Sequence, residues 1–214
     1  MERWEAEKVV LRHSLCADLG GGNYVDRFGI CFVSVTPMGG QFGMRTKSVI
    51  VLPYDRAWKS DFEAIKQEIA SAIGDWIVGI EHVGSTAVEG MSAKPCIDID
   101  VIIKDYSVFD IIVEKLKTIG YIHEGDLGIK DRESFRYADK LHLKTHHLYV
   151  CPQYSQELHR HITFRDFLRN DPEAARRYSL VKEKAAELFP DDIDQYIAYK
   201  SPCIAELYTE CGLK

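Results

Sequence analysis

Glu81-His-Val-Gly-Ser-Thr-Ala-Val-Glu-Gly-Met-Ser-Ala-Lys-Pro-Cys-Ile-Asp-Ile-Asp100 is the stretch on which the reading of this chain turns. Its end alternates as a strand must: Ile97, Ile99 and Val101 face one way, Asp98 and Asp100 the other. The two aspartates therefore share a face, with Cα atoms about 6.6 Å apart. Neighbouring carboxylates repel, and a cation between them relieves the repulsion. Hard oxygen donors at this spacing suit Mg²⁺ or Mn²⁺, which in turn can hold phosphate groups. Just upstream, Gly84 allows close backbone approach, Ser85 and Thr86 can cap a following short helix, and such an N-terminus is a seat for phosphate. Lys94 adds a positive charge at the rim. The competing readings are an edge strand with two solvated carboxylates and, for Gly84-Ser85, a plain turn.

Working outward, strands alternate with helices. Val49–Leu52 reads as a short strand stopped by Pro53. Asp55 or Ser60 can cap a helix whose Trp58, Phe62, Ile65, Ile69 and Ile73 follow the 3.6-residue period up to Gly74. Ile77–Val83 and Cys96–Ile103 are strands, joined by the Gly- and Ser-rich 84–95. Ser107 opens a helix through Phe109, Ile112, Val113 and Leu116, ended by Gly120. Tyr121–Glu124 is a candidate strand, 125–140 a polar loop, and His146–Val150 a strand. Helices follow over roughly 160–170, 172–189 and 191–212. The order implies an α/β (α+β) domain: one mixed sheet flanked by helices, with a helical C-terminal part.

Residues 1–46 differ. Gly20, Gly21, Gly22, Gly29, Gly39, Gly40 and Gly43 interrupt any helix, and Gly29–Val35 is a strand candidate with no evident partner. They read as an N-terminal extension of uncertain order, ahead of a working domain at 47–214.

Composition narrows the function classes. The 214 residues carry a net charge of −6, which argues against a duplex-DNA binder. With 46% apolar residues the chain can bury a core, so disorder is not expected. No apolar run approaches the roughly 20 residues of a membrane helix, and the N-terminus lacks a signal-peptide pattern. Six cysteines without a CxxC pair read as free thiols of a reducing cytoplasm.

A strand ending in Gly-Ser, twelve intervening residues (86–97) and Asp-Ile-Asp resembles the pattern of the DNA polymerase beta-like nucleotidyltransferase superfamily. The fuller likeness is to the GrpB family within that fold. Its carriers are Val51-Leu-Pro-Tyr-Asp55 with Trp58, the 81–100 segment, Gly128-Ile-Lys-Asp-Arg132 with Phe135, and Thr145-His-His-Leu-Tyr-Val150. Further along come Phe164-Arg-Asp-Phe-Leu-Arg169, Tyr178 with Lys182, and Tyr196 with Lys200.

The resemblance implies a nucleotidyltransferase-like core with Gly84 and Ser85 at a phosphate loop and Asp98 and Asp100 as metal ligands. Active nucleotidyltransferases usually add a third carboxylate from a neighbouring strand. Here the candidate strand offers His147 beside Tyr149, so His147 is the stand-in ligand or base. Arg132, Arg165, Arg169, Lys182 and Lys200 are candidates for a basic wall that orients phosphates, against the simpler reading of Arg165-Asp166 as a bridge from helix to sheet. Tyr196 and Lys200, four apart on a helix, either stack a base and meet a phosphate or pack at the core edge.

Two functions follow. One is a metal-dependent nucleotidyltransferase that moves a nucleotide from a nucleoside triphosphate to an unknown acceptor, with two-metal chemistry. The other is a nucleotide- or small-ligand-binding module without turnover. A third reading, a metal-dependent hydrolase, would use His142 and His146 at helical spacing or His159 and His161 at strand spacing.

Overall fold

The computed structural model describes Asn23–Val25, Cys31–Val33 and residues 48–213. Asn23–Val25 (β1) pairs antiparallel with Cys31–Val33 (β2), so the strand candidate in the extension has Asn23–Val25 as its partner. The remainder of 1–46 lies outside the described residues.

The sheet that matters here has five strands: Gly79–Val83 (β3), Ile97–Ile103 (β4), Tyr121–Gly125 (β5), Glu133–Tyr137 (β6) and His146–Pro152 (β7). Their order is β3-β4-β7-β6-β5, with β4 and β7 parallel and the other three pairs antiparallel. Parallel neighbours need a long crossover, and the chain between β4 and β7 supplies it as a helix and the two strands β5 and β6.

The two faces of β4 go to different layers. Ile97, Ile99, Val101 and Ile103 bury against Ala57–Ile73 (α1) and Phe109–Thr118 (α2), whose Trp58, Phe62, Ile65, Ile69, Ile73, Ile112 and Leu116 complete the main core. Each such side chain contributes about 1.5–3 kcal/mol when fully buried. The opposite face carries Asp98 and Asp100, and on β7 His147, Tyr149 and Cys151; Gln156–Asn170 (α3) covers it through Leu158 and Ile162. Pro172–Leu188 (α4) and Ile193–Glu210 (α5) complete the helical C-terminal part and pack with α3 around Leu168, Tyr178, Ile204 and Leu207.

The fold class is the one expected, and the differences are local. Residues 125–140 are not all loop: Glu133–Tyr137 forms β6, with Phe135 buried. Val49–Leu52 is not a strand; Leu52 makes one isolated bridge with Ala93, and Pro53 has no N–H to extend it. The first C-terminal helix starts at Gln156, because the Ser155 hydroxyl accepts from Leu158 N–H and caps it there. His159 and His161 therefore sit on a helix and not at strand spacing, while His142 binds Glu68 at 2.7 Å, away from any pairing with His146.

Candidate functional site

The antiparallel register of β3 and β4 sets Val83 opposite Asp98, which brings the residue after β3 onto the aspartate. That residue is Gly84, at φ +70, and a Cβ built on it falls 2.3 Å from Asp98 Oδ2. Only glycine fits both the dihedral and the gap. Ser85–Ala87 then makes a single 3-10 turn, not an α-helix, so the phosphate seat foreseen here is one turn of backbone N–H groups without a long helix behind it. Thr86 is buried; its hydroxyl donates to the Cys96 carbonyl at 3.3 Å and meets His82 Nε2 at 3.0 Å.

The parallel register of β4 and β7 puts His147 beside Asp98 and Tyr149 beside Asp100. His147 Nδ1 lies 2.8 Å from Asp98 Oδ1, and Cys96 Sγ lies 3.8 Å from both ring nitrogens of His147. Burial opposes charge on His147, but Cys96 and the Asp98 carboxylate outweigh it and raise the imidazole well above its ordinary value. Burial likewise pushes the Asp98 carboxyl up, and the hydrogen bond and charge of His147, with His161 and His82, pull it below the usual range.

Asp100 is fully buried. Its Oδ2 binds His161 Nδ1 at 2.7 Å, and His161 Nε2 reaches Glu157 Oε1 at 3.2 Å. Glu157 in turn pairs with Arg160 at 2.8 Å. Against the cost of burial, Asp100 and Glu157 raise His161 to about 10. Asp100 Oδ1 has no hydrogen-bond partner among the described residues. A buried carboxylate oxygen left over in this way is costly.

Asp98, His147, Tyr149 and His161 line a cleft of about 960 Å³, its open mouth included. Of the residues singled out in the sequence, Gly84, Ser85, Lys94, Asp98, His147, Arg165, Lys182 and Lys200 line it; Asp100 is fully buried and is not part of the lining. Arg132 does not line it: the residue is fully buried, its guanidinium 4.5 Å above the Tyr149 ring. Arg165 lines the cleft yet is already engaged, giving Nη1 to Glu81 at 2.5 Å and to the His82 carbonyl at 3.0 Å, and Nε to Asp166 at 2.8 Å. Arg169 lies outside the lining, with Nε on the Ala87 carbonyl at 3.0 Å.

The C-terminal helices supply the remaining wall. Lys182 and Lys200 are both buried, above the rings of Tyr178 and Tyr196 at 4.6 and 5.5 Å. Lys182 Nζ donates to the Ser92 carbonyl, and burial, then the nearby Lys200, holds its pKa well below the ordinary lysine range. Two buried lysines thus line one cleft.

Glu157 is not among the residues singled out in the sequence, and His161 enters there only as a metal pair with His159 at strand spacing, not as a partner of Asp100. Their i, i+4 spacing is visible once the helix is known to start at Gln156, but which strand that helix covers is not. Among the described residues no group of three or more His, Cys, Asp or Glu forms a ready cage for a metal. A magnesium ion keeps several waters and needs only one or two carboxylates, so Asp98 and Asp100, with the unpartnered Oδ1, fit one.

Comparison with known proteins matches residues 48–210 to the GrpB family, described as GrpB protein. The chain is 34% identical over 173 residues to the glutamate-rich protein GrpB of Alkalihalophilus pseudofirmus, covering 78% of this chain and 98% of that one. It is 32% identical over 158 residues to the UPF0157 protein YqkA of Bacillus subtilis, covering 74% of this chain but only 46% of that protein. The crystal structure of conserved protein GrpB from Enterococcus faecalis superposes with a TM-score of 0.65 at 32% identity, covering 75% and 98% of the two chains.

Proposed function

The chain belongs to the GrpB family, and from that premise we propose that its cleft is the active site of a metal-dependent nucleotidyltransferase. The carrying observation is the buried, unpartnered Asp100 Oδ1 beside Asp98, at the foot of a nucleotidyltransferase-like Gly84-Ser85 turn. Asp98 and Asp100 hold Mg²⁺ or Mn²⁺, which when bound neutralises phosphate charge. The backbone of the Gly84-Ser85 turn meets a phosphate, and Lys182 and Lys200, with Lys94 at the rim, hold the rest of the triphosphate. His147 keeps its proton toward Asp98 and orients that carboxylate. An acceptor hydroxyl gives up its proton to solvent as its oxygen bonds the α-phosphorus and the bond to pyrophosphate breaks, and positioning supplies most of the rate. Arg165 serves as a structural tie between α3 and β3, not as a phosphate ligand.

A second reading, a nucleotide-binding module without turnover, is favoured by one observation: β7 presents His147 and Tyr149 opposite the aspartates, and no carboxylate. Calorimetry with Mg-nucleoside triphosphates followed by a turnover assay separates the two. The transferase reading expects binding that Asp98→Ala abolishes, and release of pyrophosphate. Binding abolished by Asp98→Ala but without product from any nucleotide selects the module, and absence of binding eliminates both.

A further inference from the structure

We infer that Lys182 and Lys200 form a seat for a doubly charged, phosphate-like anion, and that this seat fills only as Lys182 takes up a proton. The inference rests on the reading above, in which these two side chains hold phosphates. Both line one cleft, Lys182 from α4 and Lys200 from α5, and each is only 3% exposed. An ammonium withdrawn from water is costly unless an opposite charge stands against it, and a second ammonium nearby raises that cost.

Lys182 makes no ion pair among the described residues: its Nζ donates to the Ser92 carbonyl and lies 4.6 Å above the Tyr178 ring. Glu183, beside it on α4, accepts instead from the Ser92 hydroxyl at 2.5 Å, and Asp98 on β4 is met by His147 at 2.8 Å. From α5 it is faced by Lys200 and the Cys203 thiol, with Tyr196 on the same helix. Burial pushes the Cys203 thiol and the Tyr196 phenol up, so both keep their protons. Burial and then Lys200 push the Lys182 amine the other way, well below the ordinary lysine range. A neutral amine still donates to the Ser92 carbonyl, so the empty cleft does not need this charge. An arriving anion supplies the missing counter-charge: the lone pair of Lys182 accepts a proton from solvent, and the proton returns when the anion leaves. Linkage is reciprocal, so anion affinity falls as pH rises past the point where Lys182 of the empty cleft loses its proton.

The test counts protons. Sulfate alone is the probe, because in mild alkali it is a dianion with no proton of its own to gain or lose. It is titrated into the full chain by calorimetry at about pH 8.5, short of the ordinary lysine pKa of about 10.4. Two buffers of different ionisation heat give the protons taken up per sulfate bound. The wild type is expected to take up about one, from the single amine that changes state. Lys182→Met keeps the apolar stem and removes the amine; it is expected to bind at least about tenfold more weakly and to take up none. Lys200→Met removes the neighbouring charge, which leaves Lys182 protonated more often in the empty cleft, so its uptake is expected to fall; it decides the matter if Lys182→Met does not fold. Sulfate binding without uptake in the wild type overturns the inference and leaves standing the reading that these lysines hold phosphate. Undiminished uptake in a folded variant of either lysine also overturns it. No binding by the wild type overturns the seat and the inference with it, while the nucleotidyltransferase reading is judged by its own titration with Mg-nucleoside triphosphates.

Discussion

Gly84 is the residue at which backbone and site chemistry meet. Its φ of +70 leaves no place for a Cβ, which would fall 2.3 Å from Asp98 Oδ2. Gly84→Ala is expected to cost about 2 kcal/mol in urea unfolding, by combining left-handed strain with overpacking. Because the methyl pushes on Asp98, the same variant should also bind Mn²⁺ more weakly than the wild type, which an EPR titration of free Mn²⁺ reads directly. His146 gives a pH prediction away from the cleft. Its Nδ1 faces the Lys144 carbonyl, which can only accept, so Nδ1 donates and Nε2 accepts from the Tyr121 hydroxyl, both at 2.7 Å. Burial holds His146 neutral and lowers its pKa to about 4. The unfolded chain takes up the proton first, near pH 6.5. The stability from His146 is therefore complete above about pH 6.5 and is lost as pH falls toward 4. Thermal melts across that window should show a shallower fall for His146→Asn than for the wild type. At this scale Asp98 and Asp100 were legible from strand alternation alone, whereas His161 was not, since its partner lies 61 residues away in the chain.

Among the elements, α3 makes the site possible by lying across the Asp98–Asp100 face of the sheet. Arg165 ties it there, joining Glu81 and the His82 carbonyl on β3 to its own helix. Glu81 is 39% exposed, so water can replace part of what the arginine gives it. Arg165→Ala is expected to cost about 2 kcal/mol by denaturant titration, less than the loss of a wholly buried pair. The buried faces of α1 and α2 followed from their apolar period, because each buries a single stripe on the main core, while their starts differ: α1 begins after Arg56, and Ser107 sits in a 3-10 turn ahead of α2. β6 was missed because Glu133-Ser-Phe-Arg-Tyr137 is short and polar, and its strand character comes from the neighbours on both sides. The short helix expected after Gly84 is a single 3-10 turn, Ser85–Ala87.

For the whole molecule, the family match begins at residue 48, and Val49 is already part of the fold. Its N–H donates to the Pro190 carbonyl at 2.6 Å, and its side chain packs with Ala185 and Tyr196. A chain starting at Ser48 is expected to keep the thermal midpoint and the Mn²⁺ stoichiometry of the full protein; a collapse of its circular-dichroism melt would reject the division at 47. No helix among the described residues is long and apolar enough to cross a membrane. What is local or periodic could be read from the residues: the α/β class, the helices around the main core, the shared face of Asp98 and Asp100, and the glycine before them. Strand and helix periods are short-range geometry, readable within a few residues. Packing in three dimensions is what buries Arg132 away from the cleft, sets Arg165 on Glu81 and brings a histidine to each aspartate. Those outcomes depend on sheet order and on which face α3 covers, and such long-range choices are fixed by the packing of the whole core.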